Sequence, residues 1–155
     1  KEESESMAET EGYVTIAGGT RRHLSKLITS EDKWEASKAL RQAGNARIQG
    51  AGANQVKTVM SAVWDSDLLD RSSLKWKFVV HDEVCFSVAK QDATQVIETV
   101  HQYMTRQFLE DVPSESSVGI GLSYGELVEL EKPFARAGVQ FDAAIVQQTV
   151  DSLLG

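Results

Sequence analysis

Lys75-Trp76-Lys77-Phe78-Val79-Val80-His81-Asp82-Glu83-Val84-Cys85-Phe86-Ser87-Val88 is the stretch on which the fold turns. Trp76, Phe78 and Val80 alternate before the polar triplet, and Val84, Phe86 and Val88 alternate after it. A period of two is the mark of half-buried strands, so the stretch predicts a β-hairpin with His81, Asp82 and Glu83 at its turn. Adjacent carboxylates on a tight turn repel each other unless a cation offsets the repulsion, which points to a divalent metal. Asp and Glu also simply suit a solvated turn. The hairpin by itself leaves both readings open.

Upstream, Glu31–Trp64 carries the longest helical pattern, with Trp34, Leu40, Ala43, Val56, Val59, Met60 and Val63 at roughly helical spacing and Ser30 as the expected N-cap. Arg41, Asn45 and Gln49 are spaced by four, so each advances about 40° around the helix and the three share one face. Gly50 and Gly52 follow, each costing about 1 kcal/mol relative to Ala in a helix interior. A sequence tolerates that where something must come close to the backbone, and a duplex edge would qualify. Asn and Gln donors suit the minor groove, where every base pair offers acceptors. An exposed polar face with a kink at the glycines fits the same residues. Asp65–Ser73 reads as a polar connection into the hairpin.

Downstream, Asp92 is expected to cap a second helix, with Gln95 at the reciprocal position and Ala93, Val96, Ile97, Val100, Met104 and Phe108 on its core face. His101 reads as a surface or capping histidine. Val118, Ile120, Leu122 and Tyr124 alternate with Gly119, Gly121 and Ser123 as a further strand, whose glycines imply a nearby backbone. Glu126–Lys132 is acidic and ends at Pro133, and Phe141–Leu154 forms a closing amphipathic helix that docks on the body or binds a partner. At the other end, Tyr13, Val14 and Ile16, the Gly18-Gly19 turn, and Arg21, Arg22 and His23 make a hairpin. Arg21 and Arg22 either meet phosphate or serve solubility. The order hairpin, long helix, strand, turn, strand, helix, strand gives an α+β fold: an antiparallel sheet with helices packed on one face, lacking one strand before the long helix.

The chain has 155 residues, 41% of them hydrophobic, which suffices for one domain with a core. Its net charge of -7 disfavours non-specific attraction to nucleic acid, so any such contact must be local. Cys85 is the only cysteine, which excludes an intramolecular disulfide and fits a reducing, cytoplasmic compartment. No apolar run approaches a membrane span and no leader is apparent, so no membrane partner is expected. The division expected is an acidic linker or frayed helix end over residues 1–11, a main unit over 12–130 and an extension with a short helix over 131–155. The first residue, Lys1 rather than Met, reads as a segment of a longer protein or a processed product.

Taken together these features resemble the C-terminal palm segment of family A DNA polymerases, the group of bacterial repair polymerases and many phage replicases. Arg41-x3-Asn45-x3-Gln49-Gly50, followed by Lys57, is similar to the family's R-x-x-x-N-x-x-x-Q-G helix. Val80-His81-Asp82-Glu83 resembles its V-H-D-E hairpin. Gly12-Tyr13-Val14 with Gly19-Thr20-Arg21-Arg22 is similar to the hairpin after the fingers, although the family more often has arginine where Thr20 stands. The likeness covers about Gly12–Tyr124.

The resemblance implies a DNA-directed DNA polymerase, a nucleotidyltransferase acting on primer-template DNA and a dNTP. Asp82 would bind catalytic Mg²⁺, with Glu83 as an auxiliary carboxylate and metal ligand. His81 would lie against the primer terminus, Asn45 and Gln49 in the minor groove near the terminal pair, and Arg41 on the template strand or its backbone, with Arg21 and Arg22 among the DNA-binding residues. It also implies what is missing: a second metal-binding aspartate, on a D-Y-S-x-I-E strand, and the fingers helix that holds the nucleotide. The palm sheet is thus incomplete without the preceding polymerase segment. This segment is expected to need a remaining polypeptide carrying fingers, thumb and the rest of the palm, whether cut from a longer chain or split from a partner subunit, in a bacterial cytoplasm or, for a phage protein, its host's. The competing readings are a non-catalytic α+β module binding nucleic acid or protein, and, more weakly, a hydrolytic metal site.

Overall fold

The computed structural model describes residues 2–130 and 142–154, the side chain of Leu154 excepted. The fold is α+β, with helices dominating and, among the described residues, three small antiparallel sheets of two strands each. Two compact units divide the chain, Lys1–Gln55 and Val56–Gly155. The 33-residue helix Lys33–Asp65 (α3) contributes to both.

In the first unit, the acidic start is not a linker but a helix, Glu2–Glu11 (α1), on which Ser4 and Ala8 are buried. Small residues four apart give α1 a narrow face that lies close to its neighbours, a signal that apolar periodicity misses. Gly12 ends it at φ 73°, with its N–H bonded to the Ala8 carbonyl at 3.0 Å. A left-handed residue after the last turn is a common helix stop, and a Cβ here would also lie 2.9 Å from that of Ser25. The expected hairpin follows. Tyr13–Thr15 (β1) pairs with Arg21–His23 (β2), and Gly18 and Gly19 turn it at φ 87° and 84°. The short helix Ser25–Ile28 (α2) leads on to α3. Asp32, not Ser30, caps α3, its Oδ1 accepting the Trp34 N–H at 2.8 Å. Ala8, Val14, Leu24, Ala43 and Ala46 form the core of this unit.

In the second unit, Val59 and Val63 of α3 pack with Leu68, Leu74, Val96 and Val100. Leu68, on the short helix Leu68–Arg71 (α4), is fully buried, so the expected polar connection carries a core anchor. Lys75–Val80 (β3) and Glu83–Ser87 (β4) pair antiparallel, and Lys90–Met104 (α5) follows. Asp92 lies inside the first turn of α5 rather than at its N-cap, which is Ala89. Its Oδ2 accepts the Ser73 N–H at 2.8 Å, while the Ser73 hydroxyl accepts the Ala89 N–H at 2.6 Å, tying the entry to β3 onto α5. His101 is buried at 5% exposure, contrary to the surface role expected of it.

The strand expected through Tyr124 is shorter than its pattern. Gly119–Ile120 (β5) pairs with Val128–Glu129 (β6) around a single 3-10 turn at Tyr124–Glu126. Gly121 makes this possible, since a side chain there would run into the Glu126 carbonyl. The helix Ala143–Leu154 (α6) lays Val146 and Val150 against Ala93 of α5 and Leu130. Pro133 and Phe141, expected to bound the acidic strip and the closing helix, lie outside the described residues.

Candidate functional site

Trp76 faces Phe86 and Phe78 faces Cys85, so Lys77 is an extra residue on β3, a β-bulge. Continued without the bulge, the pairing at Trp76 would set Val80 opposite Asp82 and leave one residue to turn the chain. With it, Val80 pairs Glu83 and the turn has two residues, His81 and Asp82. The bulge therefore decides which carboxylate stands at the tip and which opens β4. It also breaks the simple alternation read from the sequence. Trp76, Val84 and Phe86 pack on the core, whereas Phe78, Val80, Glu83 and Cys85 share the other face.

His81 has φ 54°, a left-handed conformation that a non-glycine residue adopts at a cost of order 1 kcal/mol, as the first residue of a tight hairpin turn requires. His81, Asp82 and Glu83 are all exposed. Neither carboxylate oxygen of Asp82 has a hydrogen-bond or ion-pair partner among the described residues. Glu83 differs, because its Oε2 accepts the Tyr124 hydroxyl at 3.1 Å. Tyr124 also sets its ring edge-on to Phe78, with centroids 4.9 Å apart at 83°. The hydrogen bond to Glu83 pushes the Tyr124 phenol above the ordinary tyrosine value, so it stays a donor at neutral pH. Burial, then the nearby Glu83 charge, pushes the Cys85 thiol up, which keeps it protonated and unreactive.

Among the described residues no three His, Cys, Asp or Glu side chains converge as a complete metal cage. The donors present are nonetheless of the right kind. Mg²⁺ prefers hard oxygen ligands and is commonly held by one or two carboxylates with water and substrate phosphates. Asp82 offers two open oxygens, and Glu83 offers Oε1. Beside β3 lies an open groove of about 540 Å³, lined by Met60, Trp64, Trp76, Phe78 and Val79 among others.

In the first unit, Arg41, Asn45 and Gln49 are exposed on one face of α3, as their spacing predicts, while Ala39, Ala43 and Ala46 are buried on the other. Arg41 donates to the Ser37 hydroxyl at 3.0 Å one turn back. Asn45 and Gln49 make no side-chain hydrogen bond among the described residues. Ile48, 76% exposed, lies beside them. The helix runs through the glycines without a break. Gly50 does not face a ligand: a Cβ there would lie 2.6 Å from Ile16 Cδ1, so its role is to admit the first hairpin. Gly52 has nothing within 4 Å. Arg21 and Arg22 are exposed on β2, and the Arg21 guanidinium lies 4.7 Å from the Tyr13 ring centroid.

Tyr124 is the site residue the sequence reading missed. Its only signal was an aromatic beside Ser123 and Gly125, which alternation assigned to a strand.

Comparison with known proteins points to the same family. A sequence model described as DNA polymerase family A matches residues 1–126. DNA polymerase I of Mycobacterium leprae is 36% identical over 118 residues, 76% of this chain and 13% of that protein. The DNA polymerase of Bacillus phage SP01 is 33% identical over 125 residues, 74% of this chain and 13% of that protein. A solved structure, the POL domain of Pol1 from M. smegmatis in complex with DNA primer-template and dNTP, superposes with a TM-score of 0.67 at 28% identity, covering 74% of this chain and 20% of that one. The chain thus spans about an eighth of the length of the curated relatives it matches. No helix among the described residues is long and apolar enough to cross a membrane.

Proposed function

The chain belongs to DNA polymerase family A, and from that premise we propose that it forms the palm portion of a template-directed DNA polymerase, contributing one half of a two-metal site. The observation that carries the reading is Asp82: a carboxylate with neither oxygen partnered among the described residues, at the tip of a hairpin with one face packed on the core. Asp82 and Glu83 would hold Mg²⁺ together with a carboxylate outside these residues. When bound, the ions lower the pKa of the primer 3′-hydroxyl and stabilise the charge that develops on the transferred phosphoryl group.

The protein's own groups position the reactants. His81, held beside Asp82 by the turn, lies against the primer terminus. Asn45 and Gln49 donate to minor-groove acceptors, which every correct base pair presents in the same places. Arg41 contacts the template strand, and Arg21 and Arg22 neutralise phosphate. Their exposure and, for Asn45 and Gln49, the lack of a side-chain hydrogen bond among the described residues support that role. The dNTP and the rest of the DNA would be held by the remaining polymerase polypeptide, with fingers, thumb and the first catalytic aspartate. A strand from that polypeptide fits the free edge of β3 and its apolar groove. Such addition suits a two-stranded hairpin, which is marginal alone.

Primer extension by this chain mixed with the remaining polypeptide tests the reading. Asp82→Ala is expected to abolish extension while leaving the assembly intact. Equal extension by the variant would sink the proposal and favour a non-catalytic binding module.

A further inference from the structure

The β5–β6 hairpin reaches Glu83 from a part of the chain that no motif marks. We propose that Tyr124 is a positioning residue for Glu83: its hydroxyl holds one carboxylate oxygen, so that the other is presented beside Asp82. This rests on the reading of Asp82 and Glu83 as the metal-binding end of the hairpin.

Three features carry it. The Tyr124 hydroxyl donates to Glu83 Oε2 at 3.1 Å, and 41 residues separate the two, so local chain geometry does not impose the contact. The ring is fixed independently of that hydrogen bond by its edge-on contact with Phe78. Phe78 and Glu83 share a face only because of the bulge at Lys77, so the same irregularity that sets the tip also brings ring contact and carboxylate to one side. The turn bearing Tyr124 is itself braced. Ser123 donates to a Glu126 carboxylate oxygen at 3.1 Å, the Glu126 N–H bonds the Ser123 carbonyl at 3.1 Å, and Gly121 lets the two strands close. Behind it, the Leu130 N–H bonds the Val118 carbonyl at 2.8 Å, and Leu130 is buried against α5 and α6. A side chain held at both ends restricts the rotamers of an otherwise exposed glutamate. Groups that orient a metal ligand in this way typically change metal affinity or activity about 10- to 100-fold when removed.

Tyr124→Phe keeps the ring and deletes only the donor. Two measurements test it. On the assembled polymerase, Mn²⁺ binding is followed by the loss of its free-ion EPR signal. Wild type should bind in a manner that Asp82→Asn abolishes, and Tyr124→Phe should weaken that binding about 10-fold without moving the unfolding midpoint. In primer extension by the assembled polymerase, Tyr124→Phe should lower kcat and raise the Mg²⁺ needed for half-maximal rate, leaving KM for the dNTP unchanged. In a Glu83→Ala background the same change should cost nothing further, because the partner is already gone. Equal losses in both backgrounds, or Mn²⁺ binding unchanged in Tyr124→Phe, would overturn the proposal while leaving the role of Asp82 standing. Failure of Asp82→Asn to alter Mn²⁺ binding, or absence of binding by the wild type, would instead remove the metal site and this proposal with it.

Discussion

Asp92 shows how a single side chain links local structure to solution behaviour. Hydrogen bonds from the Ser73 side chain, and from its backbone N–H, hold the Asp92 carboxyl below the usual aspartate range of about 3.9. Because the folded value is depressed, the unfolded chain binds more protons through that window, and stability rises with pH across it. The contribution is fully present above about pH 4 and is lost as pH falls through the folded value. Asp92→Asn should therefore flatten the acid limb of a plot of urea midpoint against pH. Glu3, bonded by Arg47, and Asp151, bonded by Lys90 and then Gln147, are also depressed, so the limb should shrink without vanishing. A slope unchanged by the substitution would refute the assignment. Asp92 was visible in the sequence as a helix-start residue, but its partner was not, because Ser73 reaches it through tertiary packing and not through a capping offset. Tyr124 was hidden for the same reason. Arg41, Asn45 and Gln49 were legible because a helix fixes which residues share a face before any packing is known.

At the level of elements, α3 separates what a pattern specifies from what a neighbour specifies. Its existence and continuity follow from periodicity over 33 residues, yet its two central glycines serve different ends. Gly50→Ala would gain about 1 kcal/mol in helix propensity. It would also press a methyl into three atoms of Ile16, a residue only 8% exposed, and overpacking of that kind costs about 1–3 kcal/mol. A net loss in unfolding free energy is expected. Gly52→Ala meets open space and should stabilise by about 1 kcal/mol. If a duplex passes over this face, the added methyl should weaken primer-template binding at the same time. Stability and binding that rise together at Gly52 would show that this stretch faces no ligand. The β3–β4 hairpin is the converse case. Strands and turn were readable from alternation, but the bulge was not, since Lys77 looks like any outward-facing strand residue until Trp76 is seen in the core.

For the molecule as a whole, the fold class was legible because each unit has its own apolar cluster, whereas the small size of the sheets was not. Alternation from Val118 to Tyr124 cannot distinguish a seven-residue strand from a hairpin whose turn begins at Leu122. The closing helix α6 poses the sharper question, since it lies beyond the residues matched by the family model. Docking and partner binding were both open from its amphipathic pattern. Burial decides for docking: Val146 is 0% exposed and Val150 3%, while Thr94 donates to Gln147 at 2.8 Å and Lys90 meets Asp151 at 3.1 Å. The polar contacts are exposed and contribute little, so the valines should dominate. Val146→Ala removes two methyl-sized groups at about 0.8 kcal/mol each, and an unfilled cavity adds to that. A loss of about 1.5–2 kcal/mol in unfolding free energy is expected. Ile145→Ala, on the exposed flank of the same helix, should stay within about 0.5 kcal/mol and serves as the control for helix propensity. Equal effects at the two positions would mean that α6 is not docked in solution. Its apolar face would then be free for a partner. A large effect at Val146 alone makes α6 part of the body that holds the β5–β6 hairpin, and with it Tyr124, in place.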